Sequence, residues 1–280
     1  MRPMLISLIC WLLISSPALS ADISISFTAE NLITKALESW RGKSSFSQTE
    51  MTIHRPDWQR TTTLEGWTQG MDKSIIRFIQ PAKDAGNATL KLNNEMWLFT
   101  PRLNRVTKLP ASMMSQSWMG SDFSYNDLAK SDQILTHYTA KITHQFKSEP
   151  KDPLTIYQIE LLPKINAPVV WGKEVLLIRE DGLLLSEVFY DQNFNRVKTL
   201  YCLQMSLVDQ KAFPIKMRMQ QNNKQDHWTE ITTTQVWLDL TPPSNVFSQT
   251  FLKSPQPWQP KQPSDLTQPI IRLQPIEVQL

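Results

Sequence analysis

After its first helix, the chain alternates between strand-like segments and short turns as far as residue 240. The segments carry apolar side chains at about every second position, and turn residues such as Gly182 and Asn193 separate them. Because consecutive strands are joined by short connections, the sheet is predicted to be antiparallel. A sheet with this many strands must close into a barrel or cover its apolar face with another element. The predicted strands span 45–54, 60–69, 74–80, 88–100, 103–108, 136–147, 154–162, 173–179, 183–191, 196–208, 212–221 and 227–240.

The segment before the strands has the pattern of an amphipathic helix. Thr28 is placed to cap its first turn, Phe27 and Leu32 form the two ends of a hydrophobic staple, and Gly42 is a stop signal. A helix with an apolar stripe needs an apolar surface, so we expect it to cover the sheet. The stripe consists of Leu32, Ile33, Ala36, Leu37 and Trp40.

Residues 1–20 have the pattern of a secretory signal peptide. Arg2 supplies a positive charge, residues 5–14 are almost unbroken apolar sequence, and Ala18 and Ser20 are the small residues before a predicted cut after Ser20. The apolar run is shorter than the roughly 20 residues that span a bilayer. Cleavage would leave Cys202 as the single cysteine, so no internal disulfide is expected. Cys202 lies in a strand-like run and is interpreted as a buried small hydrophobe.

Residues 110–133 interrupt the strand pattern. This segment concentrates methionines and a tryptophan, and Ser124 and Asp127 then have the spacing of a capping box before a short helix that ends near Lys130. Two interpretations carry equal weight: a long loop that fills the core, or an adaptable lining for an apolar ligand, since thioether side chains repack at little cost.

The last 28 residues change composition abruptly. Residues 253–280 contain six prolines and six glutamines, which favours an extended tail exposed to solvent. Two apolar stretches, 270–273 and 276–278, leave open an added edge strand or docking on a partner. We therefore divide the chain into a signal peptide (1–20), one β-rich domain (21–252) and a Pro/Gln-rich tail (253–280).

The sequence offers no recognisable catalytic or metal-binding motif. A net charge of +3 over 280 residues gives no support for nucleic-acid binding, and no nucleotide-binding glycine motif occurs. The four histidines are scattered and form no metal-ligand spacing, so neither a metal nor another cofactor is expected. Ser121 and Asp122 are adjacent but cannot supply triad geometry without a base. The sequence therefore predicts a protein that is not an enzyme.

Several runs together resemble a known family, the LolA-like "outer membrane lipoprotein-sorting proteins". The order and spacing match over about residues 28–252, without the tail. The most distinctive element is the run at residues 118–128, which includes Gly120, Ser121, Asp122, Phe123 and Tyr125. The matching runs are RFIQPAKDAG (77–86), MWLFTP (96–101), RV (105–106), WMGSDFSYNDL (118–128) and PPSNVF (242–247).

The resemblance implies a mainly β (α+β) fold, a curved and incompletely closed antiparallel β-barrel with covering helices. It also implies a periplasmic carrier of lipids or acylated lipoproteins, with an RND/MMPL-type inner-membrane exporter as a partner. Separately, we expect the protein to be a monomer. A cavity for an acyl chain would bury methylenes worth about 0.8 kcal/mol each. Since only alternate side chains of a strand face inward, Trp97 and Phe99 compete with Met96 and Leu98, and we predict the aromatic pair. The predicted ligand-binding residues are Ile76, Phe78, Trp97, Phe99, Met113, Met114, Trp118, Met119 and Phe123.

Two alternatives to a carrier stay open. One is an accessory subunit of an RND-type exporter that has no ligand of its own, for which the tail would be a tether. The other is a hydrolase of envelope lipids that uses Ser121 and Asp122. For the run at 120–122, the residues themselves indicate a local role: Gly120 permits a tight bend, and Ser121 or Asp122 can bind nearby amides.

Overall fold

The computed structural model describes residues 27–130, 134–148, 153–253, 266 and 269–279. The predicted signal peptide and its cut after Ser20 lie outside the described residues, as does most of the predicted tail before residue 269. No helix in the described ranges is long and apolar enough to cross a membrane.

The predicted first helix is present as α1 (Ala29–Arg41). The Thr28 hydroxyl accepts a hydrogen bond from the backbone N–H of Asn31 at 3.2 Å, as the capping pattern predicts. Gly42, at φ 59°, ends the helix, and its N–H donates to the Glu38 carbonyl. The apolar stripe is buried apart from Trp40, which is 40 % exposed at the last turn.

Fourteen described strands form one antiparallel sheet that does not close into a complete barrel. Its order is β6-β5-β4-β3-β2-β1-β13-β12-β11-β10-β9-β8-β7, and β14 is added to β11. Most neighbouring strands in the sheet are consecutive in the chain and form hairpins. The exception in this order is β1, which also pairs with the distant strand β13, with Met51 opposite Ile231. The strands are β1 (Ser44–Arg55), β2 (Trp58–Gln69), β3 (Lys73–Gln80), β4 (Ala88–Leu92), β5 (Glu95–Thr100), β6 (Arg105–Lys108), β7 (Tyr138–Phe146), β8 (Ile156–Pro163), β9 (Lys173–Arg179), β10 (Leu184–Tyr190), β11 (Arg196–Val208), β12 (Lys211–Gln221), β13 (Trp228–Leu238) and β14 (Ile271–Arg272).

One of the predicted strands is a hairpin of two strands in the structure. Residues 88–100 form the hairpin β4–β5, with Leu92 opposite Glu95. Asn93 turns the chain at φ 52°, a conformation that asparagine tolerates better than most side chains. The two asparagines between the strands, Asn93 and Asn94, were the sequence signal for this turn.

One face of the sheet, here called the inner face, carries α1. Leu32, Ile33 and Leu37 pack on Ile159, Leu161, Leu176 and Ile178 of β8 and β9. At the other half of the sheet, residues 109–129 cover the inner face, and this loop continues into α2 (Tyr125–Lys130). The short helix α3 (Ile134–His137) leads into β7. Two different segments thus cover the two halves of one curved face.

The opposite, outer face is also covered. Val246, Phe251 and Leu252, in the segment that ends with α4 (Gln249–Lys253), pack against Phe46 and Trp67 of β1 and β2. The Arg77 guanidinium donates to the carbonyl of Phe251 at 2.8 Å, which fixes this segment to β3.

The described end of the chain does not run free in solvent, contrary to the preferred interpretation of residues 269–279. Ile271 pairs with Met205 in a stretch of β11 that extends beyond β10, so a free strand edge is available there. The Gln279 N–H donates to the Gln158 side-chain oxygen at 2.6 Å. Leu273, Ile276 and Val278 pack on a buried cluster of the outer face that includes Cys202. The added edge strand at 270–273, which the sequence left open as the alternative to a solvated tail, is therefore present as β14.

Removing residues 254–280 is expected to make Cys202 reactive. The thiol is buried, and desolvation raises its pKa to about 12, which suppresses the nucleophilic thiolate. Without the tail, water reaches this cluster and the rate of modification by a thiol reagent should rise severalfold. The measurement is labelling of protein that begins at Ala21, with urea-unfolded protein as the fully reactive control. An equal rate in both folded proteins would show that the tail does not shield the thiol.

A candidate ligand-binding cavity

A cavity of about 340 Å³ lies between α1, the loop at 109–129 and the inner face of the sheet. This volume falls within the ~300–1,000 Å³ of small-molecule sites, which are mostly apolar with a few polar groups. Apolar side chains from at least six elements make up most of its wall, and they include Ile33, Leu37, Leu64, Ile76, Trp118, Phe123, Leu176, Leu200, Met217, Met219 and Ile231.

The structure brings some of the predicted ligand-binding residues to this cavity. Ile76, Trp118 and Phe123 line it. Phe78 does not, but it packs behind Trp118 with ring centroids 5.5 Å apart. The three methionines of the loop belong to the same apolar cluster as Trp118 and do not line the cavity; they are Met113, Met114 and Met119.

Trp97 and Phe99 lie on the outer face of the sheet. Both belong to the cluster beneath the segment at 240–252, whereas Met96 and Leu98 belong to the cluster around Trp118 on the inner face. The Lys108 ammonium lies 5.9 Å from the centre of the Trp97 ring, so this ring has a polar neighbour. The side chains of β5 alternate between the two faces as predicted, but Met96 and Leu98 lie on the inner face, where Trp97 and Phe99 were expected.

The run at 119–123 forms a tight loop held by its own polar groups. Met119 at φ 54° and Gly120 at φ 79° turn the backbone. The Ser121 hydroxyl donates to the Trp118 carbonyl at 2.7 Å and accepts from the Phe123 N–H at 3.2 Å. Ser121 therefore serves as a local brace, and its hydroxyl is engaged by the backbone.

Asp122 connects this loop to the sheet. Its carboxylate is buried, accepts from the Arg55 guanidinium at 3.0 Å and from the Thr229 hydroxyl at 2.7 Å, and accepts from the Gln221 amide at 3.2 Å. Its N–H donates to the Thr229 hydroxyl at 3.0 Å. Arg55 also donates to the Gly120 carbonyl at 3.1 Å. This network joins the loop to β1, β12 and β13, which explains why the loop can wall the cavity.

The predicted capping box is present at the start of α2. The Ser124 N–H donates to Asp127 Oδ2 at 2.6 Å, and the Asp127 N–H donates to the Ser124 hydroxyl at 3.2 Å. Lys198 of β11 forms an ion pair with the same carboxylate oxygen. Asp127 thus fixes both the start of the helix and its position over β11.

Two carboxylic acids on the cavity wall were missed in the sequence. Glu174 of β9 and Glu187 of β10 lie on the inner face of adjacent strands, as the register of Phe189 opposite Glu174 requires. Desolvation raises the pKa of Glu174 to about 7, and hydrogen bonds from Tyr138 and Glu187 oppose this. Desolvation, followed by repulsion from Glu174, raises the pKa of Glu187 well above its usual value. Glu174 alternates with Leu176 and Ile178 along β9, so it lies on the same buried face of the strand. This alternation was the signal in the sequence that Glu174 is buried.

Gly66 of β2 is a second residue that sequence reasoning missed. It lines the cavity, and a Cβ placed on it would have the Ile75 carbonyl oxygen at 3.4 Å and Ile76 Cγ1 at 3.7 Å as nearest neighbours, which are ordinary contacts. A glycine within a strand often marks a place where another group approaches the backbone. Here the missing side chain contributes open space to the cavity.

No cluster of three or more His, Cys, Asp or Glu side chains with metal-binding geometry occurs in the part of the chain that the structure describes. The polar groups that line the cavity include the carboxyl pair, Tyr138 and Asp127, and Asp127 forms an ion pair with Lys198.

Comparison with known proteins identifies relatives by fold. A family model described as an uncharacterized protein matches residues 70–254. None of the curated proteins matches the chain.

Among solved structures, a DUF1329 family protein from Desulfovibrio piger is similar with a TM-score of 0.69 and 22 % identity, over 80 % of this chain and 97 % of that one. A putative outer membrane lipoprotein-sorting protein domain from Vibrio parahaemolyticus gives a TM-score of 0.69 at 21 % identity, over 81 % of this chain and all of that one. A LolA superfamily protein from Nitrosomonas europaea gives 0.67 at 19 % identity with the same coverage. The curved, open sheet with covering helices is therefore a LolA-like fold.

Proposed function

This chain belongs to a LolA-like family of uncharacterized proteins, and on that premise we propose that it carries a lipid or an acylated lipoprotein towards the outer membrane. The observation that carries the proposal is the apolar cavity under α1 and the loop at 109–129. An acyl chain in water exposes methylenes that are each worth about 0.8 kcal/mol when buried, and this wall would shelter several of them.

The cellular setting follows from the same proposal. The predicted signal peptide would export the chain to the periplasm, where it would work as a monomer and meet an RND/MMPL-type inner-membrane exporter. A carrier must also release its cargo. Methionines on the wall, such as Met217 and Met219, favour an adaptable cavity that fills and empties without strain.

The role is proposed to be binding rather than catalysis. The Ser121 hydroxyl donates to the Trp118 backbone, and Asp122 is paired with Arg55. Both groups of the hydrolase alternative are thus engaged in holding the loop.

The direct test is the lipid content of the protein. We expect gently purified protein, analysed by native mass spectrometry and by solvent extraction, to contain a co-purifying acyl lipid. Protein that stays empty when purified and when mixed with acyl ligands would contradict the carrier and favour the accessory-subunit alternative. Ester hydrolysis by the wild type that is lost in Ser121→Ala would favour the hydrolase.

Gly66→Trp is expected to abolish acyl-chain binding while leaving the fold intact. The position has room for a Cβ, and an indole would occupy the open space of the cavity. We expect the affinity for a fluorescent fatty acid to fall by at least about tenfold, equivalent to ~1.4 kcal/mol.

Gly66→Ala is the matched control, because it adds a methyl group at ordinary contact distance and should keep nearly full affinity. A circular dichroism spectrum confirms that both variants are folded. Equal binding by the two variants would mean that the cavity is not the ligand site.

A further inference from the structure

One end of the cavity is polar, and its polar groups come from α2, the segment before β9, and the strands β9, β10 and β11. Asn126 and Asp127 of α2, Trp171 before β9, Glu174 of β9 and Glu187 of β10 all line it. Lys198 of β11 joins them: its ammonium pairs with Asp127 and lies 5.1 Å from the centre of the Trp171 ring. This group is called the polar end below.

Three polar atoms of the polar end lack a hydrogen-bond partner among the described residues. They are the Asn126 side-chain oxygen, Asp127 Oδ1 and the Trp171 indole nitrogen. Asn126 is only 3 % exposed, and a buried polar atom without a partner costs about 1–3 kcal/mol. Atoms of this kind on a cavity wall are available to bind a ligand. Two of the three are acceptors.

The charges of the polar end favour a cation. Lys198 is held by Asp127 and by the Asp122 carbonyl at 3.1 Å, so its charge is already balanced. Among the described residues, Glu174 and Glu187 form no direct ion pair with a cation, although the Lys198 charge lowers the pKa of both. Arg41 lines the same cavity but sits at its far end, because the neighbouring Ser39 bonds to Ala212 at the start of β12. An anion at the polar end would meet three carboxyl groups.

We propose that the polar end binds the ammonium head group of an amphiphile whose apolar chain fills the rest of the cavity. This rests on the proposed carrier function and deepens it. The unpartnered oxygens of Asn126 and Asp127 accept two of the ammonium hydrogens, and the Glu174–Glu187 pair supplies the counter-charge. The aromatic rings of Trp171 and Phe189, which pack 5.3 Å apart, enclose the site.

Binding of a cation would displace protons from the carboxyl pair. Both glutamates have raised pKa values because burial disfavours the charged form, so the pair holds protons near neutral pH. An ammonium group stabilises the ionised form, and its affinity should therefore rise as the pH increases through about 7. The titratable and charged groups that face the pair are Asp127 of α2, His137 of α3, Tyr138 of β7 and Lys198 of β11.

The test compares three probes with one chain length on the full protein: decylammonium, decanol and decanoate. Isothermal titration calorimetry at pH 7 is expected to show that decylammonium binds at least about tenfold more tightly than the other two, the size of one charge-assisted hydrogen bond. In two buffers of different ionisation enthalpy, only decylammonium should release protons.

Glu174→Gln/Glu187→Gln is the diagnostic variant, because it keeps the side-chain shape and leaves neither side chain able to ionise. We expect it to lose the preference for decylammonium and the proton release, while its affinity for decanol stays within about twofold.

The outcomes separate the two proposals. Equal affinity for the three probes, a preference for decanoate, or decylammonium binding that the double variant leaves unchanged would each overturn the ammonium site and leave the carrier intact. Failure of all three probes to bind the wild type would overturn both. If Gly66→Trp abolishes the binding of all three probes, the cavity remains the ligand site.

Discussion

Asp122→Ala is expected to lower the free energy of unfolding by about 3 kcal/mol, the lower end of the range for breaking a buried ion pair from one side. The substitution removes the acceptor of Arg55, Thr229 and Gln221 together. Thr229 is fully buried and its hydroxyl then has no acceptor, whereas the Arg55 side chain is 16 % exposed and regains some water. Urea unfolding followed by tryptophan fluorescence measures the effect.

Two further variants separate the charge from the hydrogen bonds. Asp122→Asn keeps an acceptor for Thr229 and should cost less than Asp122→Ala. In a double-mutant cycle, Arg55→Ala combined with Asp122→Ala should cost less than the sum of the single changes, because the residues share one contact. Additive costs would mean that the pair does not hold the loop.

The loss of Asp122 should also weaken ligand binding. The loop that Asp122 anchors carries Trp118 and Phe123, two residues of the cavity wall. Sequence reasoning gave a local role to the run at 120–122, and the contacts extend that role to four strands: Lys198 of β11 binds the Asp122 carbonyl, and β1, β12 and β13 bind its side chain or N–H. Those strands are far away in sequence, so their approach could not be read from the run itself.

The sequence predicted most strands because their signal is local. Alternation and turn residues fix β9, β11 and β13 to within about one or two residues, and Thr28 fixes the start of α1. Which strands become neighbours is not a local property. The pairing of β1 with β13 closes a loop of well over 100 residues, and the sequence of neither strand specifies which strand it pairs with.

The candidate site was harder to predict because burial depends on which face of a strand is inner. Shifting the inner face of β5 by one position along the strand exchanges Trp97 for Met96. Hydrophobicity alone favoured the larger aromatic rings for the inner face. The outer face is covered by the segment at 240–253, which gives Phe99 an apolar environment away from the cavity. Glu174 was overlooked for the opposite reason: a charged residue on a strand normally indicates solvent, whereas here it faces a cavity.

Trp118→Ala is expected to have the largest effect on stability, a loss of about 4 kcal/mol, in the range for removing a buried tryptophan. The side chain is 2 % exposed, packs on Phe78 and donates from its indole nitrogen to the Thr89 hydroxyl at 3.1 Å. Thr89→Val isolates the hydrogen bond and should cost only about 1 kcal/mol. Trp58→Ala is the matched control: Trp58 is 48 % exposed, so its loss should cost less than about 1 kcal/mol by urea unfolding. Equal losses for the two tryptophans would contradict the packing of Trp118 between the loop and the inner face. Because Trp118 also lines the cavity, its removal enlarges the space for ligand, so Trp118→Ala should accept longer acyl chains than the wild type while being less stable.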